Sequence, residues 1–328
     1  MNSSYYFPSC VNPNALSSFP TNYCIPPELC TLSTCDLTEA HFTYVPTLAG
    51  NSLYLAIFAV VLILQIGLGV FYKTWGFLVG MIFGLVLEIV GYAARVMMSK
   101  NPFTSNPFLI YLICLTIGPA FLSGAIYLCL ARIITAYGEH LSRFQPRTYT
   151  ITFMSCDFFS LVLQAIGGAI ADTAGTTSAE QTGVNIMIAG LSFQVVSLVV
   201  FIVLCSDFAR HVFQRNRPLN AKFDTLRQTK RFRGFLWALG LATICILIRS
   251  SFRVAELSQG FHGPLANQQI TFMILEGAMV IIAVCALTAY HPGLAFQGSW
   301  AAVTFHLRAS KANHVEMASS EKGSDSRS

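Results

Sequence analysis

One long apolar stretch of the chain contains the run Leu87-Glu88-Ile89-Val90-Gly91-Tyr92-Ala93-Ala94-Arg95, which carries two opposite charges. An ionisable side chain at bilayer depth costs about 2.5–3.5 kcal/mol on insertion scales, and such side chains face a bundle interior or a water-filled cavity. Positions 88, 92 and 95 have the spacing i, i+4, i+7, which places the three side chains on one face of a helix. The run therefore predicts a membrane helix with a polar face directed into the protein.

The composition of the whole chain is typical of a polytopic membrane protein. Its 328 residues are 54% hydrophobic and 11% charged, whereas a soluble domain carries about 25% charged residues. Several apolar runs approach the roughly 20 residues that a helix needs to cross a bilayer. These predicted spans lie near 48–71, 75–97, 108–136, 149–171, 184–206, 234–252 and 270–290. The predicted fold is an all-α protein with seven transmembrane helices.

The distribution of basic residues predicts the orientation in the membrane. The first 72 residues contain no Lys or Arg, whereas the segment 207–233 is rich in both. Because cytosolic loops carry an excess of Lys and Arg, we expect the N-terminus outside and the C-terminus in the cytosol. Three regions follow from this: an outside tail at 1–47, a membrane domain at 48–293, and a polar, largely disordered cytosolic tail at 294–328.

The outside tail holds a cluster of cysteines, and disulfides persist in such a compartment. The cluster consists of Cys10, Cys24, Cys30 and Cys35. We expect one or two disulfides, and the three possible pairings stay open. Asn2 begins a formal glycosylation acceptor, Asn2-Ser3-Ser4. The remaining cysteines have no CxxC spacing, so we expect neither a metal site nor a cofactor.

The third and fourth spans contain residues that interrupt or polarise a helix. Pro119 removes a backbone hydrogen bond and favours a kink, and neighbouring helices or water must then satisfy the freed carbonyl. Asp157 and Gln164 lie i, i+7 apart with Ser160 between them, again on one helix face. Gln194 of the fifth span is a further polar candidate, although a lone Gln more often bonds one helix to another.

The sixth span repeats the polar spacing of the second, with Arg249, Arg253 and Glu256 at i, i+4, i+7, and the seventh span adds Glu276. An ion pair of Glu88 with Arg249 or Arg253 would be geometrically possible. We predict a polar cavity, open toward the outer leaflet, that binds an amphipathic substrate. Its candidate residues are Glu88, Tyr92, Arg95, Asp157, Gln164, Gln194, Arg249, Arg253, Glu256 and Glu276. For Glu88, a purely structural ion pair remains the alternative.

These motifs, taken in order, resemble the fungal RTA1-like proteins, also described as the lipid-translocating exporter family. The matching pieces include Glu88-x-x-Gly91-Tyr92-x-x-Arg95, Pro119-Ala120-Phe121-Leu122-Ser123, Asp157-x-x-Ser160-x-x-x-Gln164, Arg249-x-x-x-Arg253-x-x-Glu256 and His291-Pro292-Gly293. The resemblance implies a seven-span protein that exports or flips sphingoid long-chain bases and contributes to resistance against toxic lipophilic compounds. Glu276 departs from the Asp that the family resemblance leads us to expect there, but the charge is kept.

Three functions compete on the sequence alone. A transporter for sphingoid bases or related amphipaths, in the plasma membrane, is the reading we favour. It would interact with membrane lipids and a small-molecule substrate, not with nucleic acid. Since the chain has no P-loop motif, an ion gradient would supply the energy, with protons as the expected coupling ion.

A seven-span receptor or lipid-stress sensor that signals through 207–233 is the alternative. An enzyme acting on lipids ranks last, because the spans offer no catalytic spacing of His or Cys.

Overall fold

The computed structural model describes residues 44–297 and Trp300, apart from 175, 215–222, 260–262, 264 and 266. Within these residues it contains seven helices that are long and apolar enough to cross a membrane, which confirms the predicted fold class. The helices are α1 (Leu48–Phe71), α2 (Trp75–Met98), α3 (Ser105–Tyr137), α4 (Pro146–Asp172), α5 (Thr177–Phe213), the short α6 (Asp224–Gln228), α7 (Lys230–Ser258), α8 (Gln269–Phe272), α9 (Met279–Ala289) and α10 (Pro292–Ala295). A π-helical segment, Met273–Ala278, joins α8 to α9, so the seventh span is continuous.

Two helices are considerably longer than their predicted spans. The fifth span, predicted at 184–206, is Thr177–Phe213, and the sixth, predicted at 234–252, is Lys230–Ser258. The additional turns of α5 carry polar residues that hydropathy does not assign to a span. Glu180 lies in its first turn and Arg210 in its last, where each charge interacts favourably with the helix dipole. Backbone hydrogen bonding continues beyond the apolar core, so apolar length alone underestimates these helices.

The bundle places apolar side chains on the outside and its charged intramembrane residues on the inside. Large apolar residues such as Ile63, Phe158 and Val203 are well exposed on the outer surface. By contrast, Glu88 and Arg95 are almost completely buried. This arrangement is the one expected in lipid, where a charge on the outer surface would be costly.

Close contact between glycines brings α4 and α5 together as a tight hairpin. A Cβ atom on Gly167 would lie 2.6 Å from the Met187 backbone nitrogen, and one on Gly183 would lie 2.5 Å from the Ala171 nitrogen. Small residues of this kind allow two membrane helices to approach at their backbones. The hairpin fixes the register between the two helices, and therefore the positions of the polar residues along their seam.

At the end of the bundle opposite Tyr44, part of the basic segment 207–233 belongs to the packed structure. Arg227 of α6 is buried and its Nη1 donates to the Ala136 carbonyl at 2.9 Å. Arg132 of α3 donates to the Trp300 carbonyl, and its guanidinium lies 3.9 Å from the centre of the Trp300 ring. Phe296 is fully buried beside α7. Ala295, Phe296 and Trp300 are therefore packed against this end of the bundle, and the domain boundaries stay predictions.

The predictions for the two tails concern residues that the structure does not describe. Cys10, Cys24, Cys30, Cys35 and Asn2 all lie outside the described residues, as does most of the tail from 294 onward. The disulfides, the glycosylation site and the orientation of the termini stay predictions.

Candidate functional site

A buried ion-pair cluster joins α7 to the π-helical segment of the seventh span. Arg249 Nη2 lies 2.6 Å from Glu276 Oε1, and Arg253 Nη1 lies 2.6 Å from Glu256 Oε2. Arg253 Nε is also 3.8 Å from Glu276 Oε1. All four residues are at most 5% exposed. Each ion pair offsets part of the desolvation cost of its two charges, and a charge without a partner at this depth would be strongly destabilising.

The partners of the two arginines differ from those considered in the sequence. Arg249 and Arg253 pair with Glu276 and Glu256, not with Glu88. Arg253 and Glu256 form an i, i+3 pair on the polar face of α7, which the residue spacing of the sixth span predicted. The choice of Glu276 for Arg249 depends on how α7 packs against the seventh span, which no spacing within α7 could reveal.

Pro119 links this cluster to α3. A proline at 119 cannot donate to the carbonyl four residues earlier, which is that of Leu115. In the structure Arg249 Nη2 donates to this carbonyl. Arg253 Nη2 lies 3.4 Å from the hydroxyl of the neighbouring Thr116. A neighbouring helix thus satisfies the freed carbonyl, as expected for a proline inside a membrane helix, and Arg249 joins it directly to Glu276.

Glu276 lies in a π-helical turn that the sequence analysis did not identify. Such turns are rare and occur frequently at functional sites. The hydroxyl of Tyr54 in α1 donates to the Met273 carbonyl at 3.0 Å and thereby bonds the start of the segment. Next to Glu276, Gly277 leaves room for two aromatic residues: a Cβ atom there would overlap the Tyr54 ring and lie 2.5 Å from the Tyr92 hydroxyl. The only sequence signal was the Glu276-Gly277 pair in an otherwise apolar span.

Glu88 lies beside the ion-pair cluster without belonging to it by hydrogen bonding. Its side chain is 1% exposed, and Oε1 has no hydrogen-bond partner among the described residues. It packs against Gly118 of α3, where a Cβ atom would lie 3.1 Å from Oε1. Arg249, Arg253 and Glu276 are all within range to act on it electrostatically. Glu88 is therefore a buried carboxyl group with an acceptor atom that no described residue uses.

Arg95 and Tyr92, on the same face of α2, contact other parts of the bundle. Arg95 is fully buried and does not snorkel to the surface: its Nε donates to Asn51 Oδ1 and its Nη2 to the Tyr44 hydroxyl, both at 3.1 Å. Its guanidinium also lies 3.9 Å from the centre of the Phe272 ring, a cation–π contact. The Tyr92 ring packs against Phe58 and Tyr54 of α1. Arg95 thus connects α2 to α1 and α8, and Glu88 is not its partner.

Asp157 belongs to a second polar site between α3 and α4. The Tyr127 hydroxyl donates to Asp157 Oδ2 at 3.0 Å, while Oδ1 has no hydrogen-bond partner among the described residues. Tyr127 follows Gly118, the neighbour of Glu88, by nine residues, or about 13 Å along the helix axis. The structure therefore separates Asp157 from Glu88, whereas the sequence analysis placed both in a single cavity.

Gln164 and Gln194 meet at the seam between α4 and α5. Gln164 Nε2 lies 2.7 Å from Ser160 Oγ and 3.4 Å from Gln194 Oε1. Ser160 in turn donates to the Gly190 carbonyl at 2.6 Å. Gln194 thus bonds one helix to another, which was the more common role for a lone Gln. The structure brings Ser160, Gln164 and Gln194 together at the contact between α4 and α5. The ion-pair cluster, by contrast, lies on α7 and the seventh span.

Comparison with known proteins identifies relatives of the chain. The family model described as RTA1 like protein matches residues 81–299. The chain is 33% identical to the sphingoid long-chain base transporter RSB1 of Saccharomyces cerevisiae over 282 residues, covering 77% of this chain and 74% of that protein. It is 28% identical to the same organism's protoporphyrin uptake protein 1, over 62% of this chain and 65% of that protein. Its identity to Protein RTA1 of that yeast is also 28%, over 64% of each chain.

No solved structure matches the chain. The matched region of the family model includes every polar residue of both sites from Glu88 to Glu276, together with Pro119. The chain belongs to the RTA1-like family.

Proposed function

We propose that this multi-pass membrane protein transports sphingoid long-chain bases or related amphipathic amines across the plasma membrane and so contributes to resistance against toxic lipids. The proposal is supported by the 33% identical relative, whose name describes a sphingoid long-chain base transporter. A second relative is named for the uptake of protoporphyrin, which is also a transport activity on an amphipathic molecule. Both names describe movement of a compound and not its conversion, so we propose a transporter and not an enzyme.

The observation that carries the proposal is the environment of Glu88. A sphingoid base has a cationic amine and an apolar tail. The Glu88 carboxyl is buried at the α2–α3 contact and has an acceptor oxygen without a hydrogen-bond partner among the described residues. In a low-dielectric interior, a carboxylate attracts an ammonium far more strongly than it does in water. Glu88 is therefore suited to receive the amine, and Glu276 lies within electrostatic range of it.

The outer surface near Glu88 suits the apolar tail. Phe83 of α2 and Phe121 of α3 are both exposed, and their rings stack with centroids 5.4 Å apart across the boundary between the two helices. Val86 and Val90, on either side of Glu88 in the sequence, are also exposed. A long-chain base could keep its tail on this apolar surface, in lipid, while its amine passes between α2 and α3 to Glu88.

The receptor alternative depends on an accessible basic segment at 207–233, and the described part of that segment is mostly helical. Helix α5 continues to Phe213, and α7 begins at Lys230. Between them, Arg227 is buried and bonds to the end of α3. Other basic residues of the described part nevertheless remain exposed, namely Arg210, Lys230, Arg231 and Arg233. This segment therefore does not decide against a receptor, and we favour transport because of the names of the relatives.

The test is flux of labelled phytosphingosine in liposomes that contain the purified protein, with and without a pH gradient. The wild type should move the label faster than protein-free liposomes, and Glu88→Gln should reduce the rate at least tenfold. Glu180→Gln removes an exposed carboxylate at the start of α5 and serves as the matched control. Size-exclusion profiles of all variants would show whether each is folded.

Two outcomes would contradict the proposal. If the wild type gives no flux but binds a cytosolic partner through 207–233, the receptor alternative is correct. If Glu88→Gln transports as fast as Glu180→Gln, the amine binds elsewhere.

A further inference from the structure

We propose that Asp157 is the group that carries the coupling proton, in a site on α3, α4 and α5 that is separate from the amine site at Glu88. This inference rests on the proposed transport function. It assigns the two intramembrane carboxyl groups that lack a direct ion pair, Glu88 and Asp157, to two different ligands: an organic ammonium ion and a proton.

Asp157 differs from the other buried carboxyl groups in its lack of a cationic neighbour. Glu256 and Glu276 each lie 2.6 Å from an arginine nitrogen, and Glu88 is within electrostatic range of two arginines. Asp157 has no Lys, Arg or His within 4 Å among the described residues. Its polar neighbour is the neutral Tyr127 hydroxyl. Asp157 is thus the buried carboxyl group whose charge no protein cation compensates.

The surroundings of the hydrogen bond between Tyr127 and Asp157 are aromatic. From α3 comes Tyr127, and the ring of Phe201 from α5 packs on that tyrosine with centroids 4.7 Å apart. Phe153 of α4 contacts the same two rings. A further titratable group that acts on Tyr127 is the thiol of Cys156, next to Asp157 in the chain. In such surroundings, protonation of the Asp157 carboxylate removes a charge that is costly to bury. The site can therefore exist in an ionised and a protonated state.

A row of buried polar atoms lies along the α4–α5 seam. Three of them have no hydrogen-bond partner among the described residues, and they are Asp157 Oδ1, Gln164 Oε1 and Ser197 Oγ. Gly183 contacts Ala171, and Gly190 contacts Gln164. This antiparallel register brings Ser197 opposite the turn of α4 that carries Asp157. A proton can move along such a series of acceptors and hydroxyl groups from one end of the bundle to a buried carboxylate.

The proton balance is simple. An O–H bond forms at Asp157 Oδ1 as a hydronium ion on one side of the membrane becomes water. The same bond breaks when the proton passes to water on the other side. No bond to the substrate is made or broken. The ionised state accepts the Tyr127 hydrogen bond, and the protonated state gains a donor of its own, so the contact between α3 and α4 differs in the two states.

Helix α3 is the element that can transmit this difference. Tyr127 lies on α3, and so do Gly118, which contacts Glu88, and Leu115, whose carbonyl accepts from Arg249. Pro119 lies between these positions and weakens the helix there. A change in the α3–α4 contact is therefore transmitted along one helix to the amine site.

The test compares Asp157→Asn, Asp157→Glu, Tyr127→Phe and the control Glu180→Gln in the same liposomes. A pH gradient should raise phytosphingosine flux at least fivefold in the wild type and in Glu180→Gln. In Asp157→Asn the flux should be the same with and without the gradient. This comparison is made on the ratio of flux with and without the gradient within each variant, and it requires that Asp157→Asn still gives measurable flux. Asp157→Glu should recover part of the stimulation.

Tyr127→Phe gives an independent measurement should Asp157→Asn fail to fold. It removes the hydrogen bond to the ionised carboxylate, so the proton should be held to higher pH. The midpoint of the pH–flux profile should move upward by about 0.5–1 pH unit, the equivalent of one hydrogen bond. An unchanged midpoint contradicts the inference.

The inference is also overturned if Asp157→Asn keeps its gradient stimulation, or if the wild type transports without responding to the gradient. A wild type that does not transport at all would instead refute the proposed function.

Discussion

At Gly277 the absence of a side chain lets two tyrosines approach the turn that carries Glu276. A Cβ atom there would overlap the Tyr54 ring and lie 2.5 Å from the Tyr92 hydroxyl. Tyr54 also donates to the Met273 carbonyl at the start of the π-helical segment. The position of Glu276, and with it the Arg249 ion pair, therefore requires a glycine at residue 277.

We expect Gly277→Ala to destabilise the protein by about 1–3 kcal/mol, because the added methyl group must displace rings in a packed interior. The flux of phytosphingosine should fall with it. Gly240→Ala is the matched control: it lies in the interior of α7 with no atom within 4 Å of the added Cβ, and alanine is favoured over glycine in a helix by about 1 kcal/mol. Thermal unfolding in detergent measures both. Equal melting temperatures for the two variants would show that the Gly277 contact has no energetic weight.

At the level of helices, α3 and α7 are joined where α3 lacks a hydrogen bond of its own. Pro119 leaves the Leu115 carbonyl without an intrahelical donor, and Arg249 supplies one from α7 while pairing with Glu276. One guanidinium thus connects three elements: α3, α7 and the π-helical segment. If α3 bends during transport, this connection would have to change with it.

A double-mutant cycle between Pro119 and Arg249 tests this connection. Arg249→Met alone should destabilise the protein by about 3–5 kcal/mol, because it leaves Glu276 buried without its closest cation. Pro119→Ala restores an amide hydrogen for the Leu115 carbonyl. In that background Arg249→Met should cost about 1 kcal/mol less, the value of one hydrogen bond. Denaturant unfolding in detergent gives the four free energies of unfolding.

The control cycle pairs Pro119→Ala with Arg143→Met. Arg143 is 64% exposed and pairs with Asp207 at 2.7 Å, far along the chain from Leu115. Its loss should cost little and should be additive with Pro119→Ala. Additivity in both cycles would mean that the Arg249 contact to Leu115 contributes nothing to stability.

Across the whole molecule, the polar interior is divided between two sites that share α3. One contains the ion pairs of α7 and the seventh span with Glu88, and the other contains Asp157 with the α4–α5 seam. The charged cluster lies toward the end that also holds Tyr44, where Arg95 joins α1, α2 and α8. By the distribution of basic residues, this is the predicted outer end.

The orientation makes a direct prediction for the intact cell. An epitope tag at the N-terminus should bind antibody without permeabilisation, and a tag at the C-terminus should bind only after it. An odd number of spans requires the two ends to lie on opposite sides. The reverse labelling pattern would place the ion-pair cluster toward the cytosol and would change the side from which the amine enters.

Sequence patterns were sufficient to predict the membrane class, the approximate position of each span and the charged residues that face the interior. Apolar length and the cost of a charge in lipid are local properties, so α1 lies where hydropathy predicted it and Glu88, Arg95, Asp157 and Glu276 are all buried. The lengths of α5 and α7 were underestimated. Their backbone hydrogen bonding continues past the apolar residues from which the spans were predicted. The ordered motifs also identified the family before any comparison.

The partners of the polar groups became known from the packing of the helices. Arg249 pairs with a residue 27 positions away and with a carbonyl 134 positions away, and Arg95 finds its partners in α1 and α8 in preference to Glu88. Asp157 faces Tyr127 rather than the cluster. Such pairings depend on which helices are neighbours and how each is rotated about its axis. Periodicity within one helix specifies a polar face but contains no information about the helix that this face will contact.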